Sequence, residues 1–98
     1  MRKITKEAVD KFLSKQPFSK SNMKVEEAGS TFRLKLHNNT IATLDQFNML
    51  SISNAGWSSN TTKERLNGLP HVHIKQKNYQ WYLNGNEWNG EWTRVGIV

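Results

Sequence analysis

Cysteine is absent from the 98-residue sequence, which excludes a disulfide framework, a thiolate nucleophile and every Cys-ligated metal centre. No apolar run approaches the ~20 residues a membrane-spanning helix needs. The start MRKITKEAVD is basic but lacks the apolar stretch of ~7–15 residues and the small-residue cleavage site of a secretory signal, so the cytosol is the expected compartment. Asn38-Asn39-Thr40 and Asn60-Thr61-Thr62 match the glycosylation pattern only formally, and they are read as turn and cap residues. Catalytic signatures are equally scarce. There is no G-x-S-x-G elbow and no Gly-rich phosphate loop, and the acid pairs Glu26/Glu27 and Glu87/Glu91 read as surface charge. A chain this short also leaves little room for a pocket of ~300 Å³ or more. No catalytic residue, metal or cofactor is therefore expected.

What is present suffices for one domain spanning residues 1–98. The apolar fraction is only 36%, so the four Trp, four Phe and two Tyr must supply much of the burial. Basic residues exceed acids by six. The excess lies in residues 1–24, which hold seven Lys or Arg against two acids, whereas 25–98 hold seven against six. Such a field suits an anionic partner.

Ile4, Ala8, Val9, Phe12 and Leu13 recur at helical spacing, predicting a helix over residues 5–16 with Ile4 just before it, Thr5 as N-cap and Pro17 as stop. The outer face of that helix carries Lys6, Lys11 and Lys15 as a secondary basic face. The period then changes to two. A short strand is expected around Met23–Glu26, a second where Phe32, Leu34 and Leu36 alternate with Arg33, Lys35 and His37, and a third over Thr40–Asp45 after an Asn38-Asn39 turn. Met49–Ser53 extends the meander. Thr61 and Glu64 fit a capping box for a short second helix that Gly68 and Pro70 end. HVHIKQK alternates again, and two Asn-Gly pairs, 84–85 and 89–90, mark a C-terminal β-hairpin. The order α-β-β-β-α-β-β predicts an α+β fold with a mostly antiparallel sheet.

The sharpest candidate feature is a double stripe. Arg33, Lys35 and His37 on one strand, with His71, His73, Lys75 and Lys77 on another, would form one flat basic face if both strands share a sheet. His71 and His73 at i, i+2 could share a metal, but a stable site needs a third or fourth ligand, for which the sequence offers only His37, Glu26, Glu27 and Asp45. Among the C-terminal aromatics, Tyr79, Trp81 and Leu83 alternate inward, leaving Tyr82, Trp88 and Trp92 as exposed anchors or stacking platforms.

From Ser53 onward the words NAGW, TTKERLNGLP, QK and WYLNGNEW, with a final Trp92, resemble a family of small uncharacterised phage- and prophage-encoded proteins. The opening ITKEAVDKFLSKQPFSKSN is similar to their N-terminal segment. The resemblance implies a non-enzymatic accessory protein, working in the host bacterial cytosol, that binds and blocks a host defence protein such as a CRISPR or restriction component, or that component's nucleic-acid complex. The alternative it leaves is a DNA- or RNA-binding accessory protein contacting phosphates through Lys and Arg. Under either reading Arg33, Lys35, His37, His71, His73, Lys75, Lys77, Tyr82, Trp88 and Trp92 form the expected partner surface.

Overall fold

Alternation of apolar and polar side chains sorts the strands onto one buried layer, and the helical stripe of the N-terminal segment packs on it. The computed structural model describes residues 2–98. Its elements run α1 (Lys3–Leu13), β1 (Phe18–Lys20), β2 (Met23–Ala28), β3 (Thr31–Leu36), β4 (Asn39–Leu44), β5 (Met49–Ile52), α2 (Asn60–Leu66), β6 (Ile74–Lys77), β7 (Gln80–Leu83), β8 (Asn86–Glu87) and β9 (Thr93–Ile97). The fold is α+β and all strand pairs are antiparallel. The strands form two sheets, one of six in the order β1-β2-β3-β4-β5-β9 and one of three in the order β6-β7-β8. The C-terminal hairpin β7–β8 belongs to the small sheet, while β9 returns to close the large one against β5.

One buried cluster joins both sheets and both helices. Phe12 of α1, Met23, Val25, Leu34, Leu36, Leu44, Leu50 and Ile52 of the large sheet, Leu66 of α2, and Ile74, Trp81 and Leu83 of the small sheet all belong to it. Where β3 and β4 pair, the register shifts between Leu34 and Lys35, and both Ile41 and Ala42 are buried. A bulge of this kind adds one unpaired residue and bends the strand.

Several local expectations change. The first helix starts at Lys3 and ends at Leu13, so Thr5 is an interior, fully buried residue and not the cap. Its end is a Schellman arrangement: Gln16 N–H donates to Lys11 C=O at 2.9 Å and Lys15 N–H to Phe12 C=O at 3.1 Å, with Lys15 at φ +56 in the place usually held by Gly. Lys15 thus leaves the helical face it was expected to share with Lys6 and Lys11. The cap of α2 is Ser59, whose Oγ accepts from Thr62 N–H at 3.1 Å, and the Thr61–Glu64 box does not form. The turn between β3 and β4 is His37-Asn38, both at positive φ, instead of Asn38-Asn39. His37 is therefore a turn residue and not part of the β3 stripe.

The helices meet closely at Gly68, just beyond α2. A Cβ there would lie 2.7 Å from Thr5 Cγ2, so no larger residue admits this contact without a shift.

A candidate interaction surface

The expected double stripe is two separate surfaces, because β3 lies in the six-stranded sheet and β6 in the three-stranded one. On β3, Arg33 stands opposite Glu26 and Lys35 opposite Lys24 across β2. Directly opposed residues share a face. Glu26 is consequently ringed by cations: Lys35 Nζ at 2.7 Å, Lys24 Nζ at 3.6 Å and Arg33 Nη1 at 3.9 Å. The hydrogen bond from Lys35 outweighs partial burial and, with the charge of Lys24, holds the Glu26 carboxyl below the usual carboxylate range. Arg33 and Lys35 spend part of their field on that carboxylate.

The small sheet is different. On its outer face Lys75 stands opposite Tyr82, Lys77 opposite Gln80, and Tyr82 opposite Glu87. Lys75 and Lys77 are exposed and have no ion-pair partner among the described residues. A depression of about 690 Å³ lined by His71, His73, Lys75, Tyr82, Asn84, Gly85 and Val95 opens on this face. It continues past Lys75 and Tyr82 into a second of about 520 Å³ that reaches Lys77.

Both histidines precede β6, and His71 has φ +64, so they are not the i, i+2 pair of a regular strand. The Ile97 carbonyl can only accept, so His71 Nε2 donates to it at 2.9 Å. That bond ties the approach to β6 to the end of β9. Asn84, at positive φ in the β7–β8 turn, fixes the same approach: its Nδ2 donates to His71 C=O at 2.9 Å and its Oδ1 accepts from His73 N–H at 3.0 Å. Asn67 holds the following residue, accepting from Ile74 N–H at 2.7 Å and donating to Ile74 C=O at 3.1 Å. Among the described residues, no group of three or more His, Asp or Glu side chains comes together as a metal site would need.

The aromatics exchange roles. Tyr79, expected inside, is 97% exposed, because Asn78 and Tyr79 are the two positive-φ residues of the β6–β7 turn and Tyr79 swings off the strand. Trp88, expected as an exposed anchor, is only 6% exposed. It stacks on Trp81 with ring centroids 6.2 Å apart, and its indole N–H donates to Thr93 Oγ1 at 2.9 Å and Glu91 C=O at 3.1 Å. It is withdrawn from the surface as a core residue. Tyr82 is half-buried on the small sheet, and Trp92 is exposed.

Two features escaped the sequence reading. Arg65 of α2 is 1% exposed and donates to Thr5 Oγ1 at 2.9 Å, to Asn22 Oδ1 at 3.2 Å and to the neighbouring Glu64 carboxylate. Burial pushes the Glu64 carboxyl up, but the Thr5 hydroxyl at 2.6 Å, the Arg65 guanidinium and the Arg2 N–H outweigh it and hold the carboxyl below its ordinary value. This network binds α1, α2 and the β1–β2 turn together. The second feature joins the word NAGW to the Asn-Gly pair at 89–90: Asn54 N–H and Ser53 Oγ both donate to Gly90 C=O, at 3.0 and 2.9 Å.

No described helix is long and apolar enough to cross a membrane. No curated protein and no solved structure matches the chain. A family model described as Kyanoviridae Gp96 protein matches residues 1–97, the full run of the elements described above, and the chain belongs to that phage protein family.

Proposed function

We propose that this phage protein is an accessory factor that acts by binding, docking an acidic surface of a host defence protein on the outer face of the small sheet. The carrying observation is the pair Lys75 and Lys77, exposed beside the half-buried Tyr82 and unpaired among the described residues. Free cations next to an aromatic that is already partly ordered suit an interface, since aromatic side chains anchor such contacts and complementary charge orients them. His73 borders the same depression, and the exposed Tyr79 stands in the β6–β7 turn, two residues beyond Lys77. Arg33 and Lys35, paired with Glu26, supply a background positive field on the large sheet.

Glu87 favours a protein over a polyanion as the partner. It stands directly opposite Tyr82 on the same face, where it would repel a phosphate backbone but could pair with a cation in a mixed-charge protein surface. The nucleic-acid reading draws its support from Tyr79, an exposed ring two residues from Lys77 that could stack on an unpaired base. Two phosphate contacts would give a salt slope of about −1.8 on duplex DNA, or about a 12-fold loss for a fourfold rise in salt.

A tagged protein captured from infected host cytosol, with and without nuclease and at two salt concentrations, separates these readings. The expected result is one host protein retained stoichiometrically after nuclease treatment. Recovery of nucleic acid alone, lost at the higher salt, would replace this reading with the phosphate-binding one.

A further inference from the structure

Away from the small sheet, a cavity of about 360 Å³ opens between the end of the β3–β4 hairpin and the loop that leads into α2. Leu36 and Ile41 are buried apolar residues of its lining, and Trp57 lines it while remaining 59% exposed. The volume exceeds what the short chain leads one to expect and falls near the low end of small-molecule sites, ~300–1,000 Å³. The backbone that carries this indole is tightly held. Trp57 N–H donates to Asn54 C=O at 2.9 Å, closing a turn whose central residues, Ala55 and Gly56, both have positive φ. Asn54 Oδ1 accepts from Gly56 N–H at 2.8 Å, Ser53 Oγ accepts from Ala55 N–H at 3.0 Å, and Gly90 C=O clamps Ser53 and Asn54 from the other side. A fixed backbone beneath the ring removes part of the ordering that a ligand must impose on binding.

The polar groups on the lining define what fits. Its one ionisable side chain is the His37 imidazole, and it contains no Lys or Arg to hold a phosphate or carboxylate and no Asp or Glu to hold a cation. It does contain Asn39 and Thr61. Asn39 Nδ2 makes only a long 3.4 Å contact with His37 C=O, and the Asn39 Oδ1 and Thr61 hydroxyl have no hydrogen bond among the described residues. A sugar alone would need partners for many hydroxyls, but Ser59 and Thr62 already bond each other at 2.9 Å and Asn54 Oδ1 already holds Gly56 N–H. A planar heterocycle can lie on the indole face while its edge meets an amide that both donates and accepts, as Asn does with base edges.

We propose that this cavity binds a neutral nucleobase, stacked on the Trp57 indole and contacted at its edge by the Asn39 amide and the Thr61 hydroxyl. The proposal is independent of the small-sheet surface. The base can come from a free nucleoside or from an unpaired position in a single strand.

The test is a titration of the full ¹⁵N-labelled chain with adenosine, guanosine, cytidine and uridine, and with six-nucleotide single strands, read from the tryptophan indole and backbone amide signals. A saturable shift of the Trp57 indole with the amides of Asn39, Ile41 and Thr61 is expected. Trp57→Ala should weaken it by about 5- to 150-fold, the span measured for losing one stacking platform. Trp57→Phe should retain part of the affinity, which a merely unfolded site would not. Equal affinity for nucleoside and oligonucleotide assigns the free nucleoside, and tenfold tighter oligonucleotide binding assigns a base within a strand. The proposal is overturned by no saturable shift at these residues, by full affinity in Trp57→Ala, or by preference for N-acetyltryptophanamide over every nucleoside.

Discussion

An alanine at position 90 would put its Cβ 2.0 Å from Asn54 Nδ2 at a φ of +90, which L side chains rarely adopt. Asn54 cannot turn away freely, since it is buried and its Oδ1 holds Gly56 N–H. Gly90→Ala is therefore expected to cost about 2–4 kcal/mol, combining left-handed backbone strain with overpacking, as read from the denaturant midpoint. Lys15 offers the opposite case. It closes the Schellman end of α1 at φ +56, where glycine carries no Cβ penalty, so Lys15→Gly should stabilise by about 0.5–1 kcal/mol in the same assay. Neither position announced itself in the sequence. Asn89-Gly90 carries the same turn signal as Asn84-Gly85, but only Asn84-Gly85 joins two paired strands, and Gly90 C=O instead accepts from Ser53 and Asn54.

At the scale of elements, α1 and α2 are joined by a polar network inside an otherwise apolar contact. Thr5→Val keeps the shape of the side chain and removes the hydroxyl between Glu64 and Arg65, leaving a buried guanidinium short of an acceptor. The expected loss is about 1–3 kcal/mol in chemical denaturation. The same network carries a pH dependence. The Glu64 carboxyl is held low in the folded chain, so its contribution is complete above the ordinary carboxylate value and is lost as pH falls through the depressed one. Glu64→Gln has no such group, and the stability gap between wild type and variant should narrow on acidification. A constant gap would contradict the network's charge pairing. The stretch TTKERL reveals its inward Leu66 by spacing, but a charged residue beside it reads as surface, and Arg65 becomes buried only because Thr5 and Asn22, from distant parts of the chain, bring it acceptors. Strands were easier to read: β2, β3, β4 and β5 fall within one or two residues of the expected segments, since period-two burial leaves its mark in each strand separately.

For the molecule as a whole, alternation tells which side of a strand is inward but not which strands are neighbours. Alternation alone therefore lets Arg33 and Lys35 continue into Lys75 and Lys77, whereas the chain places them on different sheets. The separation leaves one cationic group neutralised in part by Glu26 and another unpaired beside Tyr82. Binding through the small sheet should therefore respond to local charge and not to the net charge of +6 alone. The most direct measurement compares two charge-matched double reversals in the nuclease-treated capture, Lys75→Glu with Lys77→Glu against Lys6→Glu with Lys11→Glu, each checked for an unchanged melting temperature. Loss of the host protein with the first pair and its retention with the second is the expected result; equal loss with both pairs, or retention with both, would contradict the small-sheet surface.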